Sequence, residues 1–130
     1  MSDRLRRMVC IGFVAYAVVL FVATHKPGVQ VNVVPGIRLD LLIHMAAFGV
    51  WTLLLGLTGW LPDARRATGL GVLMTVGVGY AVIDESSQAL PIFDRVFDLA
   101  DMVANALGAA IAALALFVVL RSRARREPDT

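Results

Sequence analysis

Four apolar runs, separated by short polar clusters, organise this chain. They cover about residues 8–24 (MVCIGFVAYAVVLFVAT), 39–60, 67–90 and 98–120. Each falls within the roughly 17–25 residues that cross a hydrocarbon core as a helix. A backbone in lipid satisfies its own hydrogen bonds only as a helix or a closed barrel. The runs lack the apolar/polar alternation of barrel strands. The pattern therefore predicts an all-α fold, a four-helix transmembrane bundle, as one membrane domain over residues 1–130. Pro27, Gly28, Pro35 and Gly36 break the chain between the first two runs, Pro62 closes the second and Pro91 stops the third. Between the first breakers, Val29-Gln30-Val31-Asn32-Val33 alternates and predicts a short extended segment at the interface. A cleaved signal peptide competes for the first run, because Arg4, Arg6 and Arg7 precede it. Signal cores usually span about 7–15 residues before a small-residue cleavage site. This run is longer, and Val22-Ala23-Thr24 is a poor site, so a retained span is expected.

Composition agrees: 58% apolar and 17% charged residues leave too little polar surface for a soluble fold of this size. The net charge of +2 does not imply a nucleic-acid partner, since the basic residues flank the apolar runs and form no groove-reading face. Four spans put both termini on one side. Arg4, Arg6, Arg7, Arg65, Arg66, Arg121, Arg123, Arg125 and Arg126 fall on that side, against Lys26, Arg38 and Arg95 on the other. The positive-inside rule then predicts cytoplasmic termini. Trp60 at a span boundary fits an aromatic belt. The lone Cys10 excludes an internal disulfide. Gly69, Gly71, Gly77 and Gly79 in the third run, with Gly108, Ala109, Ala110, Ala112 and Ala113 in the fourth, predict close packing of those two spans.

Topology combined with depth gives the candidate chemistry. Asp40, His44 and Phe48 recur every fourth residue from the outer end of the second span, so they share one helix face. The third span reaches the same side with Asp84, Glu85 and Gln88, and the loop beyond it adds Asp94, Arg95 and Asp98. Asp101, Asn105 and Gly108 then form a stripe at the start of the fourth span. Ionisable groups in a span are costly and raise a functional hypothesis by default. Helix capping competes for Asp40, Asp98 and, less strongly, Asp101. Glu85 has no basic residue one turn away, so His44 or Arg95 is its expected partner. Ser86 and Ser87 are the nearest serines, and no serine–histidine pair is expected at matching depth, which disfavours covalent catalysis.

These residues resemble the pattern of the VanZ-like family of small membrane proteins. That pattern has Asp and His four residues apart, Glu-x-x-Gln, an outer-loop Arg, and Asp-x-x-x-Asn-x-x-Gly opening the last span. The corresponding residues are Asp40 and His44, Glu85 and Gln88, Arg95, then Asp101, Asn105 and Gly108. Leu41 stands where the family often has Lys, Phe48 lacks a frequent aromatic hydroxyl, and the Glu-to-Arg spacing is about one residue longer. The resemblance implies a multi-pass protein of the bacterial inner membrane, a cell-envelope context and an effect on glycopeptide (teicoplanin) susceptibility.

Two activities follow as expectations. In the first, the outer polar cluster binds a membrane lipid or lipid-linked envelope precursor through Asp40, His44, Glu85, Gln88, Arg95, Asp101 and Asn105, with Arg95 gripping a phosphate or carboxylate. In the second, His44 and Glu85 are catalytic candidates for acid/base chemistry on such a head group. A metal held by His44, Glu85 and Asp101 is a variant of that second case. No cofactor is expected.

Overall fold

In the computed structural model, residues 2–26, 38–93 and 95–126 are described. They form four α-helices and one 3-10 turn: α1 (Asp3–His25), α2 (Leu39–Thr58), α3 (Ala67–Gln88), the turn Pro91–Phe93, and α4 (Leu99–Ala124). The alternating segment 29–33 and Asp94 lie outside the described residues.

Local capping chemistry explains where the helices depart from the apolar runs. Helix α1 begins well before Met8, because Ser2 Oγ accepts from the Leu5 N–H at 3.4 Å and Asp3 opens the first turn. The arginines ahead of the apolar run are thereby helical. Helix α2 ends at Thr58, followed by Gly59 in the left-handed region at φ 76°. Thr58 Oγ1 donates to Leu55 O and accepts from the Trp60 N–H, tying off the same turn. Helix α3 stops at Gln88, short of Leu90, since Pro91 removes a donor and restricts the residue before it. Asp98 caps α4, accepting from the Ala100 N–H at 2.7 Å. That helix continues past Leu120 through Arg121 and Arg123, whose charges favour a helix C-terminus.

The bundle is apolar outside, and its interior combines large apolar side chains such as Phe48 and Leu73 with alanines and polar groups. Ile11, Ile83 and Ile111 are 70%, 66% and 58% exposed, whereas Ala81, Ala109 and Ala113 are fully buried. Such a surface suits lipid. All four helices are long and apolar enough to cross a membrane, which makes the chain a multi-pass membrane protein. At about 1.5 Å per residue, the shortest helix, α2, is roughly 30 Å long.

Helices α3 and α4 pack together as expected, but the more extensive contact of α4 is with α2. Helix α4 packs chiefly on α2, where Gly108 lies against the Met45 carbonyl with no room for a Cβ. Gly49 faces the Gly108 carbonyl from the other side. Small-residue packing between α3 and α4 occurs at Gly77, which faces Ala109 as well as Thr52 of α2. Gly71 and Gly79 look onto open space, and Gly69 turns in on the Asp63 carbonyl of the preceding link. Helix α1 is fastened to α2 by Tyr16 Oη donating to Ala47 O at 2.9 Å and by Phe13 packing on Trp51. Tyr80 of α3 stacks on Trp51 at 4.4 Å.

Candidate functional site

Antiparallel packing brings the end of α1, the start of α2, the end of α3 and the start of α4 together. Polar side chains gather at that end in two linked halves.

The α2–α4 half is built on i, i+4 spacing. His44 lies one turn into α2 from Asp40, and Asp101 and Asn105 are one turn apart on α4. His44 Nδ1 is 3.0 Å from Asn105 Oδ1, and its Nε2 is 3.4 Å from Asp101 Oδ2. Above them Arg38 donates to both Asp40 oxygens at 2.8–3.2 Å. Its Nη2 is also 3.6 Å from Asp98 Oδ2 and from Asp101 Oδ1. The Asp40 carboxylate, hydrogen-bonded to the guanidinium, holds Arg38 above its ordinary pKa.

The α1–α3 half is more deeply enclosed. Glu85 is almost fully buried and accepts from the Asp98 backbone N–H at 2.9 Å and from Gln88 Nε2 at 3.1 Å. Asp84 accepts from Thr24 Oγ1 and from Gln88 Nε2, both at 3.2 Å. His25 stacks on Phe21 and meets the edge of Phe93. Its Nδ1 is 2.8 Å from Phe21 O and 4.0 Å from Asp84, while its Nε2 is 2.8 Å from Ser87 Oγ. Ser87 Oγ also lies within donating distance, 2.7 Å, of Asp84 O.

Among the expected residues, His44 meets both Asp101 and Asn105. Glu85 and Gln88 form a second contact set, joined to α4 through the Asp98 backbone. Asp40 is engaged by Arg38 rather than capping α2, whose N-cap position is Arg38 itself. Asp98 is a helix cap. Arg95 stands at the rim and donates to Lys26 O at 3.2 Å, so it joins neither half. Two expectations are corrected. Glu85 takes a backbone N–H and an amide as partners, not His44 or Arg95. A serine–histidine pair does exist at this depth, but it uses His25, which the apolar pattern had left in the linker.

Thr24, His25 and Arg38 are the residues that sequence reasoning missed. The depth argument applied to Asp84 reaches the end of the first span equally well, and would have found Thr24 and His25. Arg38 precedes Asp40 by two residues, a spacing that carries no signal without the helix start in view.

Not every buried polar atom is satisfied. Among the described residues, Gln88 Oε1, Asp101 Oδ1 and Asn105 Nδ2 have no hydrogen-bond partner, in a cluster where Gln88 and Asn105 are fully buried. Orphaned buried polar atoms are rare and call for an explanation. Among the described residues, no group of three or more His, Cys, Asp or Glu side chains is arranged to hold a metal ion. Fold and cluster together define a four-helix membrane protein with one polar end. Comparison with family models, curated proteins and solved structures finds no match.

Proposed function

We propose that this chain is a VanZ-like protein of the bacterial inner membrane, with both termini in the cytoplasm. In this reading its polar, extracytoplasmic end holds the head of an amphipathic or lipid-linked envelope molecule. The observation that carries the reading is the set of unpartnered buried atoms, Gln88 Oε1, Asp101 Oδ1 and Asn105 Nδ2. Each such atom costs about 1–3 kcal/mol when dehydrated without a partner, and a bound head group relieves that cost. Exposed Leu99, Val103 and Leu107 on α4 offer apolar surface for acyl chains beside the cluster. The arginines of the opposite end support the orientation. An effect on glycopeptide susceptibility would follow if the bound molecule is an envelope precursor or the drug's own lipid tail.

Lipid extracted from the purified protein tests this reading. One amphiphile should be retained in near-stoichiometric amount and lost in Asn105→Leu. Identical bulk lipid in both forms would refute the binding role.

A second reading, an enzyme acting on the same head group, is favoured by the 3.4 Å approach of His44 to Asp101 and the 2.8 Å approach of His25 to Ser87. It requires a changed head group on candidate lipids. Full turnover in both His44→Ala and His25→Ala variants would remove it.

A further inference from the structure

The arginine-rich end of the bundle carries a groove of its own. It is open, has a volume of about 320 Å³, and is lined by Phe117, Val118, Arg121, Ser122 and Arg125 of α4. Phe117, Arg121 and Arg125 recur every fourth residue, as do Val118 and Ser122, so two adjacent rows of one helix face form it. Each step of four residues descends about 6 Å along the helix. Apolar side chains therefore give way to guanidinium groups within one turn, as hydrocarbon gives way to phosphate at a bilayer surface.

Its parts suit a lipid phosphate. The Arg121 guanidinium carbon lies 5.5 Å from the centre of the Phe117 ring. That contact holds one face of the guanidinium against the groove floor and leaves its edge N–H groups to donate. Among the described residues, neither Arg121 nor Arg125 forms an ion pair. Ser122 Oγ donates to Val119 O at 2.9 Å, which leaves its lone pairs for a head-group hydroxyl. The C-terminal carbonyls of α4 oppose an anion with only about half a charge. Across the whole end nine arginines stand against Asp3, Asp63, Glu127 and Asp129, so the local field remains positive. A free phosphate would make no use of the apolar floor. Val118 is exposed and continues the lipid-facing row of Ile111 and Leu114 on the same helix.

We infer that this groove binds an anionic phospholipid, with Arg121 and Arg125 donating to its phosphate and Phe117 and Val118 against the start of its acyl chains. Phosphatidylglycerol supplies the phosphate charge and a hydroxyl for Ser122. Phosphatidylcholine and phosphatidylethanolamine bring an ammonium of their own into an end already crowded with guanidinium groups. The site lies at the opposite end of α4 from Asp101 and Asn105. It stands independently of the proposed head-group role, and whichever end faces the cytoplasm, because phosphates line both bilayer surfaces.

Native mass spectrometry of the full chain tests it, in nanodiscs of equal phosphatidylglycerol, phosphatidylethanolamine and phosphatidylcholine. Phosphatidylglycerol should be bound in about tenfold preference over either other lipid, the scale of a charge-assisted hydrogen bond. Arg121→Gln and Arg125→Gln should each remove most of that preference. Arg123→Gln deletes the same charge from the far side of the helix, roughly a Debye length away, and should change the preference by less than about twofold. All three side chains are exposed, so the substitutions spare the core. Equal losses in the three variants would show attraction to charge in general and overturn the groove. No phosphatidylglycerol preference in the unaltered protein would overturn the ligand. Inorganic phosphate added to the protein in phosphatidylcholine nanodiscs should leave no adduct, and an adduct lost in Arg121→Gln would overturn a lipid as the occupant.

Discussion

At the level of single residues, spacing was informative wherever side chains on adjacent helices meet directly. Asn105 is the clearest case. Its place one turn below Asp101 put it on the face that meets His44, and the structure has that contact at 3.0 Å. Replacing it with Leu keeps the volume but removes the hydrogen bond, so stability in detergent should fall by about 1–3 kcal/mol. Chemical denaturation checks this, and an unchanged midpoint would mean that the His44 contact contributes nothing. Arg95→Ala should change stability by less than about 0.5 kcal/mol, since its one hydrogen bond among the described residues is to an exposed carbonyl at the rim. The partner of Glu85 was not legible, because a backbone N–H has no sequence signature and is placed only by the turn that ends in the Asp98 cap. His25 was obscured for a similar reason: it closes α1 and lies beyond the apolar run that marked the span.

For the helices, hydropathy revealed their number and order, because each must present an apolar surface to lipid over its whole length. Their ends were less legible. Ser2 fixes a starting point through a capping bond that hydropathy does not register, whereas the Asp98 cap was legible as a carboxylate at the head of the fourth run. Rotation of each helix about its own axis was also hidden. A glycine-rich α3 and an alanine-rich α4 suggested a pair, yet Gly108 faces Met45 of α2 while Gly71 faces open space. The two glycines should therefore respond oppositely to the same substitution. Gly108→Ala pushes a methyl group into backbone and should destabilise by about 1–3 kcal/mol. Gly71→Ala meets no neighbour and should be neutral or stabilising by up to about 1 kcal/mol, through helix propensity alone. Denaturation of the two variants side by side measures the difference, and equal effects would contradict the α2–α4 approach.

For the whole molecule, the bundle has one polar end and one arginine-rich end, and the proposed function depends on which faces out. In a Cys10→Ser background, an Ile92→Cys variant places a thiol on the exposed turn at the polar end. It should react with a membrane-impermeant reagent in intact cells, whereas Arg125→Cys should react only after permeabilisation. The reverse pattern would turn the bundle over. The central claim, that unpartnered polar atoms at this end receive a head group, is tested most directly by a high-resolution map of the protein purified from its own membrane. Continuous density is expected from the apolar flank of α4 to a polar group about 2.7–3.2 Å from the Gln88 and Asn105 amides. Isolated waters at those atoms, with no density leading to the lipid, would contradict it.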